Sequence, residues 1–339
     1  MKRPEPAGTP MLHRNASPPT LTVASSFFNE RNLLPLFLRR VRAVCQKMRE
    51  RGWIGRHEII LVDDASTDDS LQVLQPELAA GDLVILALSR NFGVGECNWA
   101  CFQEAKGDLL VYMDCDLQDP PEVMERMVET WHAKPGTEVV YTTRIRRRGE
   151  AWWKLWVTKI GYRLIDKIST VRIPLDSGDF KLLSRRVVDL LVSMPEARPY
   201  TRGMISWLGF RQEQVWYERE ERADGGSNTK MPVLSGKVLN YWLDSALISF
   251  SDLPLKVILL VGFGISAGAL AYLVVIMIQK IMGWHVPGWP ALMTAILFLG
   301  GIQTFLLGVV GLYIAAIFKQ TKNRPLFIVN QRLGSTPLA

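Results

Sequence analysis

Two long apolar runs without any charge lie in the C-terminal part of this 339-residue chain. Val257–Gln279 has 23 residues, and Ala291–Phe318 has 28. At about 1.5 Å of rise per residue, a helix of the first length spans roughly 35 Å, whereas the hydrocarbon core of a bilayer is about 30 Å thick. The sequence therefore predicts two transmembrane helices, at about 255–279 and 290–318, and excludes a wholly soluble protein.

The net charge of the chain is concentrated beside these runs. Residues 254–339 contain no Asp or Glu and carry +6 of the formal net charge of +7, which disfavours a basic nucleic-acid-binding protein. A hairpin of two helices would have Lys280 on one side. The basic residues on its other side are Lys256, Lys319, Lys322 and Arg324. Because basic residues favour the cytoplasmic flank, we expect a multi-pass membrane protein with the preceding domain and both termini in the cytoplasm.

The remaining segments outside the main domain have distinct compositions. Residues 1–19 contain five prolines and no apolar core, which predicts a disordered tail rather than a signal peptide. Residues 233–253 mix apolar and polar side chains and predict an amphipathic helix at the membrane interface. Arg144–Lys167, with eight basic residues and three tryptophans, is a second candidate for that role. Residues 320–339 are expected to form a cytoplasmic C-terminal tail.

Residues 20–232 alternate short apolar runs with amphipathic stretches, a pattern typical of an α/β domain. The predicted strands are Leu21–Ser26, Glu58–Asp63, Leu83–Ala87, Leu109–Met113 and Val139–Thr142. The predicted helices are Leu33–Glu50, Asp69–Leu78, Val94–Ala105 and Pro121–Trp131. This alternation predicts a parallel sheet covered on both faces, with ligands bound beyond the C-terminal ends of its strands. The four cysteines show no CxxC spacing and are expected to be buried free thiols.

The strongest motif is Met-Asp-Cys-Asp-Leu-Gln-Asp-Pro-Pro-Glu, which follows the fourth predicted strand. Residues at i and i+2 of an extended chain project to the same side, so Asp114 and Asp116 converge. Two carboxylates that converge repel each other unless a cation lies between them, and such hard oxygen ligands suit Mg²⁺ or Mn²⁺. Gln118 continues the alternation and would add a neutral oxygen. The sequence thus predicts a metal site at the edge of the sheet.

Two further motifs follow the second and third strands. Asp63 and Asp64 end a buried strand, where they would accept hydrogen bonds from a base or a ribose. Arg90, in Ser-Arg-Asn-Phe-Gly, brings a guanidinium to the same edge, suited to a base carbonyl or a phosphate. The nearby Ser66 and Asp68 are interpreted as residues that cap the next helix.

Taken in order, these motifs resemble those of the family 2 glycosyltransferases. The chain is more closely similar to the polyprenyl-phosphate glycosyltransferases, such as the bactoprenol glucosyltransferases, and more distantly to dolichyl-phosphate mannose synthase. The resemblance extends through Asp176-Ser-Gly-Asp-Phe180, the Arg202-Gly203 pair, Thr229-Lys230 and both apolar runs. Two positions depart from the family pattern: Ser26 stands where proline is usual, and Asp224–Thr229 is longer and more polar than the usual segment.

The resemblance implies a GT-A, Rossmann-like fold and a nucleotide-sugar donor. It implies a divalent metal on Asp114, Asp116 and Gln118 that bridges the donor diphosphate. The residues it places around the donor are Asn29, Glu30, Asp64, Arg90 and Asp114. It implies two catalytic residues, Asp179 as the candidate base near the acceptor and Asp116. It also implies a homo-oligomer in a bacterial inner membrane, with a tetramer among the possible states.

The implied reaction is inverting transfer of a hexose, with UDP-glucose as the expected donor, to polyprenyl phosphate. The acceptor phosphate is mostly dianionic at pH 7, because its second pKa is about 6, so Asp179 is expected to orient it more than to deprotonate it. An anionic acceptor also requires cations. The candidates are Arg144, Lys159, Arg163, Arg202 and Lys230.

Several alternatives stay open from the sequence. GDP-mannose or a modified UDP-sugar would serve the same chemistry as donor. A processive polysaccharide synthase is disfavoured because the chain has only two apolar runs and lacks a Gln-x-x-Arg-Trp motif. A non-catalytic membrane adaptor or lipid translocator on the same fold is disfavoured by the intact Asp114, Asp116, Asp179 and Arg202.

Overall fold

The computed structural model describes residues 17–145, 177–194, 196, 199–220, 253–283 and 288–338. The strands are β1 (Leu21–Phe27), β2 (His57–Asp63), β3 (Leu83–Leu88), β4 (Leu109–Tyr112), β5 (Val139–Arg144), β6 (Ser177–Ser184), β7 (Gln212–Tyr217) and β8 (Val329–Gly334). The helices are α1 (Leu34–Glu50), α2 (Ser70–Leu74), α3 (Val94–Glu104), α4 (Val123–Ala133), α5 (Arg185–Ser193), α6 (Thr201–Trp207), α7 (Leu253–Ile281) and α8 (Trp289–Thr321).

These strands form one sheet in the order β7-β5-β6-β4-β1-β2-β3-β8. The central strands β4, β1, β2 and β3 are parallel, so the carboxyl ends of all four meet at one edge. The flanks differ: β6 runs antiparallel to both β4 and β5, and β8 runs antiparallel to β3. The predicted GT-A-like α/β fold is confirmed, whereas an all-parallel sheet was wrong at both flanks. β6, β7 and β8 were missing from the predicted strands.

Apolar side chains cover both faces of the sheet. One cluster contains Phe37, Cys45 and Cys115, and the other contains Trp99, Cys97 and Cys101. All four cysteines are free and buried, as predicted. β2 and β3 are buried on both faces, which explains why they read as continuous apolar runs in the sequence.

The helix predicted at Asp69–Leu78 is divided in the structure. α2 ends at Leu74, and a 3₁₀ helix follows at Pro76–Ala80. Proline lacks the N–H that would continue the α-helical hydrogen bonds, and its ring clashes with the preceding turn. The prediction of one continuous helix was therefore wrong at Pro76.

The two apolar runs form the long helices α7 and α8. The stretches long and apolar enough to cross a membrane are Ile258–Gln279 and Phe298–Thr321, and neither packs inside the protein. The predicted cytoplasmic C-terminal tail at 320–339 contains an element that was not predicted, because Val329–Gly334 returns to the sheet as the edge strand β8. The predicted interface helix at 233–253 lies outside the described residues except for Leu253, and so do the basic segment after Ile145 and the N-terminal tail up to residue 16.

Candidate active site

The residues Asp114–Asp119, called the acidic loop below, follow β4 at the carboxyl edge of the sheet. β4 pairs with β1 on one side and with β6 on the other, which fixes the position of Tyr112 and of the residues after it. Asp116 accepts a hydrogen bond of 3.0 Å from the backbone N–H of Gln118, and Leu117 between them has a left-handed φ of 58°. This tight turn keeps Asp114 and Asp116 at the edge of the sheet.

Asp114 faces several other carboxylates. Burial raises the pKa of Asp114 to about 7, and the negative charges of Asp116, Asp119 and Asp179 act in the same direction, while Arg219 opposes them. A cation bound between Asp114 and Asp116 would relieve this repulsion. The residues present therefore fit a divalent ion, and their hard oxygens suit Mg²⁺ or Mn²⁺.

The protein supplies only part of a metal coordination shell here. Among the described residues, no group of three or more His, Cys, Asp or Glu side chains is arranged to hold a metal ion. Two carboxylates from the protein, with further oxygens from substrate phosphates and water, are a common arrangement for Mg²⁺. The contact of Gln118 described here is through its backbone: its carbonyl accepts a hydrogen bond of 2.9 Å from the N–H of Glu220. A metal-ligand role for the Gln118 side chain stays a prediction.

A buried acid three residues after Asp116 links the acidic loop to β5 and β7. Asp119 is only 1% exposed and accepts a hydrogen bond from the Tyr217 hydroxyl. Arg144 lies 3.8 Å from Asp119 and donates to Tyr217 at 3.1 Å. Arg219 lies 3.4 Å from Asp119 and 3.8 Å from Asp116. Sequence reasoning missed Asp119, Tyr217 and Arg219, although Asp119 stands inside the motif that carried the metal prediction.

Asp179 and Arg202 lie at the same edge of the sheet and bind each other. Arg202 donates to both carboxylate oxygens of Asp179, at 2.7 Å each. Burial disfavours the ionised form of Asp179, but these hydrogen bonds outweigh it, so the pKa of Asp179 lies below its ordinary value. Arg144 also acts on Asp179 electrostatically. The structure thus brings together two of the five predicted phosphate-binding cations, and Lys159, Arg163 and Lys230 lie outside the described residues.

A buried lysine lies beneath this ion pair. Lys181 is 5% exposed and is paired with Tyr112 across β4 and β6. Burial and the positive charge of Arg202 lower the pKa of Lys181 to about 8, while Asp179 opposes them. Lys181 lines a small cavity together with Asp179 and Asn98, whose Oδ1 is buried without a hydrogen-bond partner. Sequence reasoning missed this residue, since a lysine within an apolar strand has no distinct local signal.

The loop Ser89–Gly93 follows β3 and is held by Asp64. It is called the donor loop below, after the role that the resemblance implies for Arg90. The Asp64 carboxylate accepts hydrogen bonds from the backbone N–H of Phe92 at 2.7 Å and of Gly93 at 3.0 Å. The guanidinium of Arg90 stacks on the Phe92 ring, 3.9 Å from its centroid. Asp64 and Arg90 are therefore close, as predicted, but the direct partner of Asp64 in this structure is the backbone of the donor loop.

Asn29 holds the neighbouring loop after β2 through hydrogen bonds, as Asp64 holds the donor loop. It has a left-handed φ of 57°, and its Oδ1 accepts from the backbone N–H of Thr67 at 2.8 Å. Its own N–H donates to the Ser66 hydroxyl at 3.0 Å, and the N–H of Glu30 donates to the Ser70 hydroxyl at 3.0 Å. Asn29 and Glu30 thus join the ends of β1 and β2, which leaves their predicted contact with a nucleotide as a proposal.

The central strands of this sheet are parallel, an Asp-x-Asp loop follows β4, and Asp64 and Arg90 follow β2 and β3 at the same edge. This arrangement is typical of a glycosyltransferase domain of the GT-A type. Residues 22–191 match the model for "Glycosyl transferase family 2". The chain belongs to that family, and it is an enzyme of the glycosyltransferase class.

Relatives match the chain far beyond this domain. An uncharacterized glycosyltransferase of Synechocystis is 36% identical over 93% of this chain and 96% of its own length. The bactoprenol glucosyl transferase of Shigella phage SfX is 34% identical over 90% of this chain and 97% of its own. A solved structure of glucosyl-3-phosphoglycerate synthase from Mycobacterium tuberculosis, with Mn²⁺, UDP and phosphoglyceric acid, has a TM-score of 0.44 and 20% identity over 69% of this chain and 80% of that one.

Proposed function

We propose that this protein transfers a hexose, with glucose from UDP-glucose as the expected case, to polyprenyl phosphate. The products are a polyprenyl-phosphate sugar and a nucleoside diphosphate. The observation that carries the proposal is the meeting of the acidic loop with the Asp179–Arg202 pair at one edge of the sheet. The name of the phage relative, which matches 90% of this chain, supports a lipid acceptor.

The donor would bind along the ends of β2, β3 and β4. Arg90 offers a guanidinium to the base or the diphosphate, and Asp64 keeps its loop in place. Asp114 and Asp116 would hold a divalent ion, Mg²⁺ or Mn²⁺, which supplies charge neutralisation of the departing diphosphate when it is bound. Burial is the main reason why the pKa of Asp114 is raised, and the negative charges of Asp116, Asp119 and Asp179, which also raise it, are the part that a bound cation would offset.

The acceptor would bind at the Asp179–Arg202 side. Its phosphate is a dianion near neutral pH and is itself the nucleophile, so it needs orientation and charge compensation more than proton removal. Arg202 and Arg144 would supply the positive charge, and Asp179 fixes the direction of the Arg202 guanidinium. Direct attack by this phosphate oxygen on the sugar is a single displacement, which inverts the anomeric configuration.

The fold also supports a membrane placement. β7 and β8 belong to one sheet, so the chain between Tyr217 and Val329 must cross a membrane an even number of times. Two crossings, by α7 and α8, satisfy this condition. The basic residues around both ends of the helix pair favour a cytoplasmic catalytic domain. The expected homo-oligomer stays a proposal.

Purified protein in detergent tests the function directly. Undecaprenyl phosphate is incubated with a panel of labelled UDP-glucose, GDP-mannose and modified UDP-sugars, with Mg²⁺ or Mn²⁺. We expect a lipid-linked sugar from one donor, and none from that donor after Asp116→Asn. Folded protein that forms no lipid product with any donor, and binds none of them, would instead favour the adaptor class.

A further inference from the structure

The C-terminal strand reaches the donor loop directly. β8 pairs antiparallel with β3, from Val84 opposite Gly334 to Leu88 opposite Val329. The residue before β8, Ile328, accepts a hydrogen bond of 2.9 Å through its carbonyl from the N–H of Ser89. Ser89 is the first residue of the donor loop, so the returning chain adjoins the point where this loop leaves the sheet.

Side chains of the segment Leu326–Gly334 contact the apolar cluster and the helix next to the donor loop. Leu326 and Phe327 pack against the apolar cluster that contains Trp99 of α3, and Phe92 of the donor loop packs against the same cluster. Arg332 binds Glu104, the last residue of α3, at 2.7 and 3.0 Å. Because α3 begins directly after the donor loop, the segment contacts the elements on both sides of that loop.

The residues that follow this segment also have partners in the domain. The Thr336 hydroxyl donates to the fully buried Glu58, and Arg56 donates to the Pro337 carbonyl at 2.8 Å. Gly334 has a φ of 81°, and a Cβ there would clash with the Leu83 carbonyl oxygen. A strand that needs glycine at this position and has partners at both ends is a specific part of the domain.

We propose that the segment Leu326–Gly334 positions the donor loop for nucleotide-sugar binding. Asp64 holds the loop from the β2 side through the N–H groups of Phe92 and Gly93, and β8 holds its start from the β3 side. Arg90 lies between these two attachments. The inference rests on the proposed function, in which the donor loop binds the nucleotide sugar.

The segment also limits how far this site lies from the membrane-spanning helix. α8 ends at Thr321, and residues 322–328 join it to β8. Seven extended residues reach at most about 25 Å. Neighbouring strands lie about 5 Å apart, so the start of the donor loop lies within about 30 Å of the end of α8.

A charge exchange tests the proposal without truncating the chain. The variants are Arg332→Glu, Glu104→Arg and the double exchange, in the full-length protein in detergent. Lys322→Glu is the matched control, because it makes the same change of charge at an exposed position between α8 and Leu326. The measurements are UDP affinity with Mn²⁺ by calorimetry, the KM for donor and for acceptor, and hydrogen exchange of the amides at 89–94.

We expect each single reversal to weaken UDP binding and raise the donor KM about two- to fivefold, as for a partly exposed ion pair, with the acceptor KM unchanged. The double exchange restores both values, and hydrogen exchange at 89–94 rises only in the single variants. Equal changes in both KM values, or unchanged UDP affinity with unchanged exchange at 89–94, would overturn the proposal. If the wild type binds no nucleotide, the proposed function fails, and the exchange data alone then decide whether the strand holds the loop.

Discussion

The guanidinium of Arg202 binds both carboxylate oxygens of Asp179, with two hydrogen bonds of 2.7 Å. Sequence reasoning assigned these residues to separate tasks, one as a candidate base and the other as a phosphate-binding cation. In the structure each is the partner of the other. A carboxylate held in this way stays ionised near neutral pH and has both oxygens engaged, which favours a positioning role over proton abstraction.

Asp179→Asn tests this role. We expect kcat/KM to fall about ten- to a hundredfold, because Arg202 loses its charged partner and its fixed direction. Since the pKa of Asp179 lies below its ordinary value, the carboxylate is fully ionised from pH 6 to 9. The loss should therefore be the same at every pH in that range, as measured by a pH–rate profile.

The matched control is Asp189→Asn, which removes an exposed acid that pairs with Arg185 on α5. It should leave kcat/KM unchanged. A loss at Asp179→Asn of many orders of magnitude, shrinking steadily as the pH rises, would identify Asp179 as a general base instead.

Asp114→Asn should change stability and activity in opposite directions. Without a metal, Asp114 is repelled by Asp116, Asp119 and Asp179, so we expect the neutral variant to unfold at a higher temperature than the wild type in EDTA. Its Mn²⁺ affinity and its transferase activity should fall at least about a hundredfold. Thermal unfolding with and without Mn²⁺ measures stability and metal binding, and the transferase assay measures activity. A variant as strongly stabilised by Mn²⁺ as the wild type would contradict the assignment.

The core of the fold was predictable because its signals are local. β2 and β3 read as continuous apolar runs, and the motifs that follow β2, β3 and β4 fall at one edge because parallel strands end together. β8 was not predictable in the same way. Its segment Val-Asn-Gln-Arg-Leu-Gly is short and largely polar, and its partner β3 lies about 240 residues earlier in the chain.

The sequence predicted which residues meet at the site, but not which side chains bind each other there. Asp114, Asp116, Asp179 and Arg202 were identified from motifs, and they do meet at one edge. The bond between Tyr217 and Asp119 joins residues 98 positions apart, and neither has a local pattern that indicates the other. The hydrogen bonds of Asp64 to the donor loop likewise depend on how β2 and β3 lie side by side.

Arg219→Gln tests whether Arg219 acts as an internal counter-ion of the acidic loop. Its guanidinium lies 3.8 Å from Asp116 and 3.4 Å from Asp119, where it would repel a divalent ion. We expect the variant to bind Mn²⁺ about three- to tenfold more tightly without nucleotide, as measured by electron paramagnetic resonance. Arg211→Gln, an exposed arginine that pairs with Glu213, is the control. Weaker Mn²⁺ binding in Arg219→Gln would show that Arg219 organises the loop rather than competing with the ion.

Asp82 should stabilise the fold in a pH-dependent way. Burial opposes its ionisation, but the neighbouring His57 and Arg42 outweigh this effect and hold the pKa of Asp82 well below its ordinary value. Its contribution is therefore complete above the ordinary pKa of about 3.9 and is lost as the pH falls below that value. Asp82→Asn should lower the free energy of unfolding by roughly 2 kcal/mol at pH 7, with the difference shrinking below about pH 4. Asp69→Asn, an exposed acid that pairs with Arg31, should have little effect at either pH.

Labelling of introduced cysteines tests the two-crossing arrangement. Because all four native cysteines are buried, maleimide labelling of the wild type should be weak. Gln103→Cys lies on the catalytic domain and Ser335→Cys follows β8, so the shared sheet requires that a reagent reach both from the same side of the membrane. Met282→Cys lies just after α7 and should react only from the opposite side.

In sealed inverted vesicles, a membrane-impermeant maleimide should label the first two positions and spare the third until detergent is added. Labelling of Met282→Cys together with the other two would mean that α7 and α8 do not cross the membrane, and labelling of Gln103→Cys without Ser335→Cys would contradict the pairing of β8 with β3.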